Sequence, residues 1–273
     1  MSQADDDVVD DPASARRRGP NGLRALDRAM SILFTLAAHP TGMTLADAAR
    51  QTGLTLTTVH RMVMALRRQK LTRETPGGLQ ALGPSTLVLA RGFLGGLDFR
   101  VEALPVLSEL RDLTNETCHL GTLAPPHVVY VDKLDSTHSV QVVTRIGATV
   151  PALTTALGRA ILAHSPAATV DVVIEATRAQ LGRSVDRDEV DETLRGVRER
   201  GYSLDRGEND PRVSCAGAPV LDQSGEVLAA ISVSVPNERF SDARTDTMGS
   251  AVRDAARRIS TALGYVGDTG ATR

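Results

Sequence analysis

The chain has 273 residues, of which 41 % are hydrophobic, a length and composition typical of a globular protein with two domains. No apolar run approaches the roughly 20 residues that a membrane-spanning helix requires, and the two cysteines lie far apart without a CxxC pair. These features predict a cytoplasmic protein with free thiols and no membrane partner. Aromatic residues make up only 3 % of the chain, which disfavours binding of single-stranded nucleic acid by base stacking.

The net charge of −2 hides one strongly basic segment. Residues 14–75 contain eleven Arg or Lys against three acidic residues, whereas residues 76–273 contain 20 basic and 25 acidic residues. Such a segment favours an anionic partner such as a nucleic acid, and a solvated basic surface is the alternative. Residues 1–22 combine an Asp cluster, three consecutive Arg, Pro and Gly without apolar periodicity, and are predicted to form a disordered tail.

Two helices are predicted at the start of the folded chain. Apolar residues that include Leu26 and Met30 recur at spacings of three and four over residues 23–38, which predicts one amphipathic helix. Thr44 is the predicted N-cap of a short second helix, and Gly53 is its C-cap.

A third helix begins after Thr55, and its outward face carries Thr57, His60, Arg61, Met64 and Arg68. A short helix, a tight turn and a helix with hydroxyl groups at its N-terminal end form the helix-turn-helix arrangement, in which that end enters the major groove. Segments 71–75 and 79–82 flank Pro76-Gly77-Gly78, which predicts a hairpin and hence a winged helix. Paired helices of this length also occur in all-α proteins that bind no DNA, so a purely structural role is the alternative. The predicted DNA contacts are Arg24, Thr44, Thr55, Thr57, Thr58, His60, Arg61, Arg68 and Arg73.

The remaining chain predicts a linker helix followed by a mixed domain. Pro84 is placed at the first position of a helix whose apolar stripe includes Leu87 and Leu97, and glycines weaken its later part, as expected of a hinge. Strand-like runs then alternate with helices, which predicts an α+β domain around an antiparallel sheet. The predicted strands are Thr117–Leu123, Val128–Leu134, Val140–Thr144, Tyr202–Asp205, Ser214–Leu221 and Val227–Val235. The predicted helices cover residues 102–114, 155–164, 167–180, 187–200 and 241–263.

Catalytic motifs are missing from the sequence. It contains no motif of a hydrolase, a zinc protease or a nucleotide-binding enzyme, and the six histidines lack metal-ligand spacing. Cys118, His119 and Asp132 could be combined into a thiol triad, but nothing places a substrate there. We therefore predict no catalytic residue, no metal and no cofactor.

A binding pocket has better support. In the run LAAISVSV, Ser232 and Ser234 share one side of a strand because side chains alternate. Two neighbouring hydroxyl groups need partners, which are supplied by the backbone, by water or by a ligand. Thr154 and Thr155 precede a helix whose free amides could hold a carboxylate.

Segments spread over residues 23–265 follow one family pattern. They include MTLADAARQTGL, TVHRMVMALRRQ, ETCHLGTLAPPHVVYVDKLDS, RIGATVPALTTALGRAILA and VRDAARRISTALGY. In this order they resemble the IclR-type transcriptional regulators. The resemblance implies an α+β chain of two domains, with an N-terminal winged helix-turn-helix joined by a linker helix to a GAF-like antiparallel-sheet domain.

The resemblance also implies a small-molecule effector, often an organic or aromatic acid, and a homo-oligomer, either a dimer or a dimer of dimers. Asp205 in the implied pocket would repel a carboxylate unless it is protonated or reached through a donor. With Thr154 added from the helix N-terminus, the predicted effector-binding residues are Val142, Val150, Thr154, Ala156, Leu157, Asp205, Cys215, Ser232 and Ser234.

Three positions depart from the family pattern. Thr55-Leu56 stands where a Pro and a basic residue are common, Gln80 stands at a common wing tyrosine, and Leu153-Thr154 replaces a polar pair. The first two lie in the DNA-reading region, so the operator cannot be transferred from relatives. The third changes the polarity of the pocket and leaves the effector open.

The chain is thus predicted to be a sequence-specific regulator of transcription, with repression favoured over activation, whose affinity for a double-stranded DNA operator is modulated by the effector. A constitutive DNA-binding protein without an effector and a small-molecule-binding enzyme are the alternatives. The predicted organisation is a tail at 1–22, a DNA-binding domain at 23–83, a linker and dimerisation helix at 84–100, an effector-binding domain at 101–265 and a C-terminal tail at 266–273.

Overall fold

The computed structural model describes residues 21–95, 98–181 and 184–266. Contacts within the chain divide it into two compact units between Phe93 and Leu94, and each unit is described by itself. The predicted tails lie outside the described residues except for positions 21, 22 and 266, and Leu97 of the predicted linker stripe lies outside them too.

The N-terminal unit contains three helices and a two-stranded antiparallel hairpin, as predicted for a winged helix. Its elements are α1 (Asn21–Ala37), α2 (Leu45–Thr52), α3 (Leu56–Arg68), β1 (Thr72–Glu74) and β2 (Gln80–Leu82), followed by α4 (Ser85–Gly95). α4 begins one residue later than predicted, directly after Pro84.

The predicted caps of α2 and α3 are present. Thr44 Oγ1 accepts a hydrogen bond from the Asp47 amide at 3.1 Å, and Thr55 Oγ1 accepts one from the Thr58 amide at 3.3 Å. Gly53 ends α2 in the left-handed conformation, with φ +67°. These local bonds fix the angle between α2 and α3, because the short turn leaves the chain little freedom.

The buried face of α1 differs from the predicted one. Ile32 and Leu36 are fully buried, whereas Leu26 and Met30 are 57 % and 40 % exposed. Successive residues of a helix are about 100° apart, so the apolar residues of α1 spread over a wide part of its surface. α2 and α3 cover only part of that surface. Leu26, Met30 and Phe34 therefore form an exposed apolar stripe.

The wing is tied to α3 by a buried amide. Gln80 is 4 % exposed, and its Oε1 accepts a hydrogen bond from Arg67 Nη2 at 2.6 Å. Arg67 Nη1 also lies 2.9 Å from Glu74 Oε2 on the other strand of the hairpin. Arg67 Nε has no partner among the described residues. Gln80 is therefore a structural residue that fixes the wing to α3.

The C-terminal unit is built on one antiparallel sheet of six strands in the order β5-β4-β3-β8-β7-β6. The strands are β3 (Thr117–Ala124), β4 (His127–Leu134), β5 (Thr149–Pro151), β6 (Ser203–Arg206), β7 (Val213–Leu221) and β8 (Val227–Pro236). The helices are α5 (Asp98–Thr114), α6 (Ala156–Leu162), α7 (Ala167–Leu181), α8 (Arg187–Arg200) and α9 (Asp242–Ala262), with a short 3₁₀ turn at Asn237–Arg239.

Helices cover both faces of this sheet. Ile231, Val233 and Val235 of β8 are buried with residues of α5 and α9 in one core, as their predicted alternation requires. A second core on the opposite face joins α6, α7 and α8 to Val128 and Tyr130 of β4.

The predicted strand Val140–Thr144 is wrong. Residues 140–145 are irregular, and the free edge of β4 is paired instead by β5 at Thr149–Pro151. The Gly147 amide donates to the Tyr130 carbonyl at 2.8 Å, so the turn at this glycine leads the chain onto β4. The β-branched residues upstream pair with no strand, and Val143 is 80 % exposed.

Glycines allow α6 to lie very close to the neighbouring backbone. A Cβ atom on Gly158 would lie 2.1 Å from the Ala152 carbonyl oxygen, and one on Gly217 would lie 2.8 Å from the backbone of Ala156. Both obstacles are backbone atoms, so no rotation of a side chain relieves them.

Substitution Gly158→Ala is expected to lower the free energy of unfolding by about 1–3 kcal/mol or more, because the added methyl group overpacks the α6 contact. Gly196→Ala in α8 is the control, since its Cβ would meet only the guanidinium end of Arg200 at 3.0 Å, and a helical Gly→Ala change stabilises by up to about 1 kcal/mol. Urea denaturation of the full chain measures both. A Gly158→Ala protein as stable as the wild type would contradict the close approach.

Substitution Gln80→Met is expected to destabilise the chain by about 1–3 kcal/mol, because it keeps the side-chain length but removes the buried acceptor of the half-buried Arg67 guanidinium. Gln69→Met, at an exposed position after α3, makes the same chemical change and should stay within about 0.5 kcal/mol of the wild type. Thermal and urea unfolding compare the two. Equal effects would show that the Arg67–Gln80 bond does not hold the wing.

Candidate functional site

The exposed face of α3 is basic. His60, Arg61 and Arg68 border a shallow groove on it beside Met64, and in the described part of the chain no acidic side chain pairs with these three residues. Two other cations of the unit are paired with carboxylates, since Arg67 lies against Glu74 and Arg50 against Asp47. The unpaired cations of α3 are those available to phosphates and base edges.

The predicted hydroxyl contacts divide into two groups. Thr57 is exposed in the first turn of α3, and no hydrogen bond engages its hydroxyl among the described residues. Thr55 Oγ1 and Thr58 Oγ1 lie 2.8 Å apart in the cap of α3, and Thr44 Oγ1 donates to Asp47 Oδ2 at 2.8 Å. DNA contacts by Thr44, Thr55 and Thr58 would compete with capping.

Two predicted arginines lie on other elements. Arg73 is exposed on β1 of the wing, without an acidic partner in the described residues. Arg24 is half-buried on α1. The structure therefore groups most of the predicted DNA contacts on α3, its N-cap and the wing, whereas Thr44 caps α2 and Arg24 lies on α1.

A cavity of about 440 Å³ lies in the C-terminal unit. Val150 and Asp205 both line it, although they come from β5 and β6 at opposite edges of the sheet. The sheet therefore curls around the cavity. The lining consists of Tyr130, Val142, Val143, Thr144, Arg145, Ala148, Val150, Asp205, Asn209, Asp210, Val213, Cys215 and Ser234.

The predicted effector residues are distributed unevenly around this cavity. Those that line it are Val142, Val150, Asp205, Cys215 and Ser234. The buried residues Ala156, Leu157 and Ser232 are not part of its lining, and Thr154 lines a separate cavity of about 370 Å³ between α6, α7 and α8. The helix N-terminus predicted to hold a carboxylate is already capped, because Thr155 Oγ1 accepts from the Gly158 amide at 3.3 Å.

Burial favours the protonated forms of the titratable groups of the cavity. It raises the pKa of the Cys215 thiol to about 12, and it also raises the pKa of Tyr130. Burial raises the pKa of Asp205 as well, and hydrogen bonds from the amides of Glu208 and Asn209 oppose this shift. The Cys215 thiol donates a hydrogen bond to Ser234 Oγ at 3.2 Å.

Charge is concentrated at the rim. Arg145 is exposed where it lines the cavity, and no side chain of the described residues forms an ion pair with it. Asp210, also at the rim, is neutralised by Arg212 at 2.9 Å, which lowers the pKa of the carboxyl group to about 2. Arg145 is thus the cation that this cavity offers to an anionic ligand.

Sequence reasoning missed several lining residues, among them Tyr130, Thr144 and Arg145. Tyr130 alternates with Val128 on β4, and this period could have placed it on the cavity face. Thr144 and Arg145 had no such signal, because both lie in an irregular segment, of which residues 140–144 were predicted as a strand.

The imagined thiol triad does not assemble. Cys118 is buried against α5 and α9, whereas its neighbour His119 lies on the cavity face of β3. Asp132 pairs with Arg100 at 2.7 Å. In the described parts of the chain, no three or more His, Cys, Asp or Glu are placed to hold a metal ion, and none of the helices has the length and apolarity to cross a membrane.

Comparison with known proteins covers both units. The family described as IclR helix-turn-helix domain matches residues 25–76, and the family described as bacterial transcriptional regulator IclR C-terminal matches residues 92–261. The HTH-type transcriptional regulator BhcR of Paracoccus denitrificans is 33 % identical over 256 residues, which cover 91 % of this chain and 90 % of the relative.

A second curated relative and a solved structure give similar matches. The transcriptional repressor IclR of Escherichia coli is 27 % identical over 262 residues, which cover 93 % of this chain and 94 % of the relative. An IclR homolog from Microbacterium hydrocarbonoxydans, solved in complex with 4-hydroxybenzoate, has a TM-score of 0.74 at 22 % identity, over 88 % of this chain and 98 % of the other. At that identity the likeness establishes the fold.

The curated relatives are regulators of transcription and not enzymes. The helix-turn-helix family matches the unit that contains the winged helix, and the C-terminal family matches the unit that contains the curled sheet and the cavity. The chain therefore belongs to the IclR family of transcriptional regulators, with a DNA-binding helix-turn-helix domain and an effector-binding C-terminal domain.

Proposed function

We propose that this regulator is a repressor whose affinity for its operator responds to a small organic acid bound in the C-terminal cavity. The observation that carries the proposal is the cavity itself, which combines apolar walls, buried polar groups and the cation Arg145, for which the described residues provide no acidic partner. The relative named a transcriptional repressor supports the direction of regulation. Operator contacts are assigned to Thr57, His60, Arg61 and Arg68 on α3 and to Arg73 on the wing.

The chemistry of the lining favours a particular class of acid. Arg145 suits a carboxylate, since a guanidinium donates two parallel hydrogen bonds to its oxygens. Val142 and Val150 suit an apolar body, and Asp205 accepts a hydrogen bond from a hydroxyl group. A hydroxylated aromatic acid such as the 4-hydroxybenzoate of the Microbacterium homolog combines these features. A cavity of roughly 150 Å³ already holds benzene, so the volume here is sufficient.

We further propose a homo-oligomer, a dimer or a dimer of dimers. Leu26, Met30 and Phe34 are exposed on α1, and α4 exposes Leu87, Val88 and Leu89. Exposed apolar stripes of this kind mark protein contacts. Two winged helices on two half-sites also read more base pairs than one, which sequence-specific regulation requires.

An effector changes operator affinity only through a difference in its affinity for two states of the protein. A coupling of about 1–3 kcal/mol corresponds to a 5- to 150-fold change in DNA affinity. We assign this coupling to the linker at 84–100, between a DNA-binding domain at 23–83 and an effector domain at 101–265, and we place the protein in the cytoplasm.

Substitution Arg61→Ala is expected to weaken specific operator binding by about 1–3 kcal/mol if Arg61 reads a base, with little change on unrelated duplexes. Operators selected from random DNA, titrated by fluorescence anisotropy, provide the measurement. Arg195→Ala on α8, an exposed arginine paired with Glu192, is the control and should bind like the wild type. An equal loss on every duplex, with the salt slope reduced by about one, would show a phosphate contact instead.

Calorimetric titration with 4-hydroxybenzoate, 4-hydroxybenzamide and 4-hydroxybenzylamine tests the carboxylate assignment. The acid is expected to bind most tightly, and Arg145→Gln should weaken it about tenfold while leaving the amide unchanged, because a charged hydrogen bond contributes about 1.5 kcal/mol. Arg195→Gln is the matched control. Equal affinities for the three compounds would reject Arg145 as the carboxylate partner, and operator affinity that no bound acid alters would favour a constitutive DNA-binding protein.

A further inference from the structure

Residues 136–147, here called the pocket loop, contribute Val142, Val143, Thr144 and Arg145 to the lining of the cavity. The loop has no regular secondary structure, so its conformation depends on a few anchoring bonds. The Gly147 amide donates to the Tyr130 carbonyl at 2.8 Å, and Arg239 Nη1 donates to the Val140 carbonyl at 3.0 Å. A third anchor reaches from the sheet to the middle of the loop, where Thr144 Oγ1 lies 2.7 Å from His119 Nε2.

His119 connects the loop to the opposite wall of the cavity. Its ring is 1 % exposed and is stacked on Tyr130, with the ring centroids 4.6 Å apart. Its Nδ1 lies 3.3 Å from Ser234 Oγ, which accepts a hydrogen bond from the Cys215 thiol at 3.2 Å. One chain of hydrogen bonds therefore runs from Cys215 on β7 through Ser234 on β8 and His119 on β3 to Thr144.

The members of this chain play different parts. Cys215, Ser234 and Thr144 line the cavity, whereas His119 lies behind them and is not part of the lining. His119 can therefore influence a ligand only through the groups that it orients.

The donor and the acceptor of each hydrogen bond in this series follow from the protonation states of its members. Burial lowers the pKa of His119 to about 4, so near neutral pH the imidazole is neutral and has one donor and one acceptor nitrogen. The protonated Cys215 thiol donates to Ser234, and the Ser234 hydroxyl then needs an acceptor, for which His119 Nδ1 is the partner in the described structure. The proton of the ring is left on Nε2, which donates to Thr144.

This direction leaves one hydrogen unassigned. Thr144 Oγ1 accepts from His119, so the Thr144 hydroxyl hydrogen is free to be donated, and the hydrogen bonds of the described residues provide no acceptor for it. Thr144 lines the cavity next to Arg145, so the acceptor has to come from a ligand or from water.

We propose that His119 is a positioning residue that holds Thr144 as a hydrogen-bond donor toward the cavity, so that the pocket selects an acceptor oxygen of the effector at the Thr144 position. The inference rests on the proposed function, in which an organic acid occupies this cavity, and it assigns the second donor that holds the acid's carboxylate or carbonyl oxygen beside Arg145.

The ligand-free protein gives the decisive test. Nitrogen NMR of the full chain, labelled on its histidine rings and measured near neutral pH, reports which nitrogen of His119 is protonated, and the His119→Phe protein identifies the resonance. We expect a proton on Nε2 and none on Nδ1. A proton on Nδ1, or on both nitrogens, would overturn the proposal.

A double-mutant cycle with 4-hydroxybenzoate provides the second test. His119→Phe keeps the stacking on Tyr130 but removes both nitrogens, and Thr144→Val removes the hydroxyl while keeping the shape. Each is expected to weaken binding about tenfold, and the double variant should be no weaker than Thr144→Val alone, because the two residues act through one donor. Losses that multiply in the double variant would show that His119 acts independently, which overturns the proposal.

Two controls separate positioning from folding. Thr144→Ser keeps the donor and should retain wild-type affinity, whereas Thr149→Val changes an exposed threonine of β5 outside the cavity lining and should have no effect. If 4-hydroxybenzoate fails to bind the wild type, the carboxylate assignment under the proposed function fails, and the protonated nitrogen of His119 still decides the present inference.

Discussion

The central strands β3 and β8 pair in a register that gives the sheet two chemically different faces. Cys118 lies opposite Val233, and Leu120 lies opposite Ile231, on the face that packs on α5 and α9. His119 lies opposite Ser232 on the other face. Because side chains alternate along each strand, a slip of one residue would bring the polar set into the core and the apolar set into the cavity. The packing of the apolar core therefore also determines which side chains face the cavity.

The same burial that stabilises the sheet sets the electrostatics of the cavity. Cys215 and Tyr130 remain protonated because an anion would be desolvated there, and His119 remains neutral because a cation would be. Charged groups occur at the rim, where water still solvates Arg145. A buried wall of neutral donors and acceptors with a charged rim suits a small molecule that has one ionised end.

In the N-terminal unit, one cation is held by internal partners and others lie on the surface of a helix. Its internal cation, Arg67, is held by Glu74 and Gln80 and contributes to the architecture of the wing. Within the described residues, Arg61 and Arg68 have no acidic partner on the exposed face of α3, so their charge is available to a polyanion from solution. Gln80 is buried and bonded to Arg67, so it belongs to the architecture of the wing and not to its exposed surface.

Local sequence patterns were sufficient to predict features that depend on a single element. The caps at Thr44 and Thr55, the hairpin around Gly77 and the alternation in β8 are short-range features, and the structure has them as predicted. The exposure of Leu26 and Met30 on α1 and the course of residues 140–144 depend on tertiary contacts, and the predictions were wrong at these positions.

The sequence by itself determined the family, the order of the elements and the basic character of the reading helix, because these follow from residue types and spacings along the chain. Only the tertiary structure decided which of the predicted pocket residues share a cavity and that Thr144, Arg145 and His119 belong with them. The physical reason is the curl of the sheet, which brings β5 and β6 around one cavity although they are its two edges. An irregular loop that is held by bonds to distant strands carries no periodicity from which its contacts could be predicted.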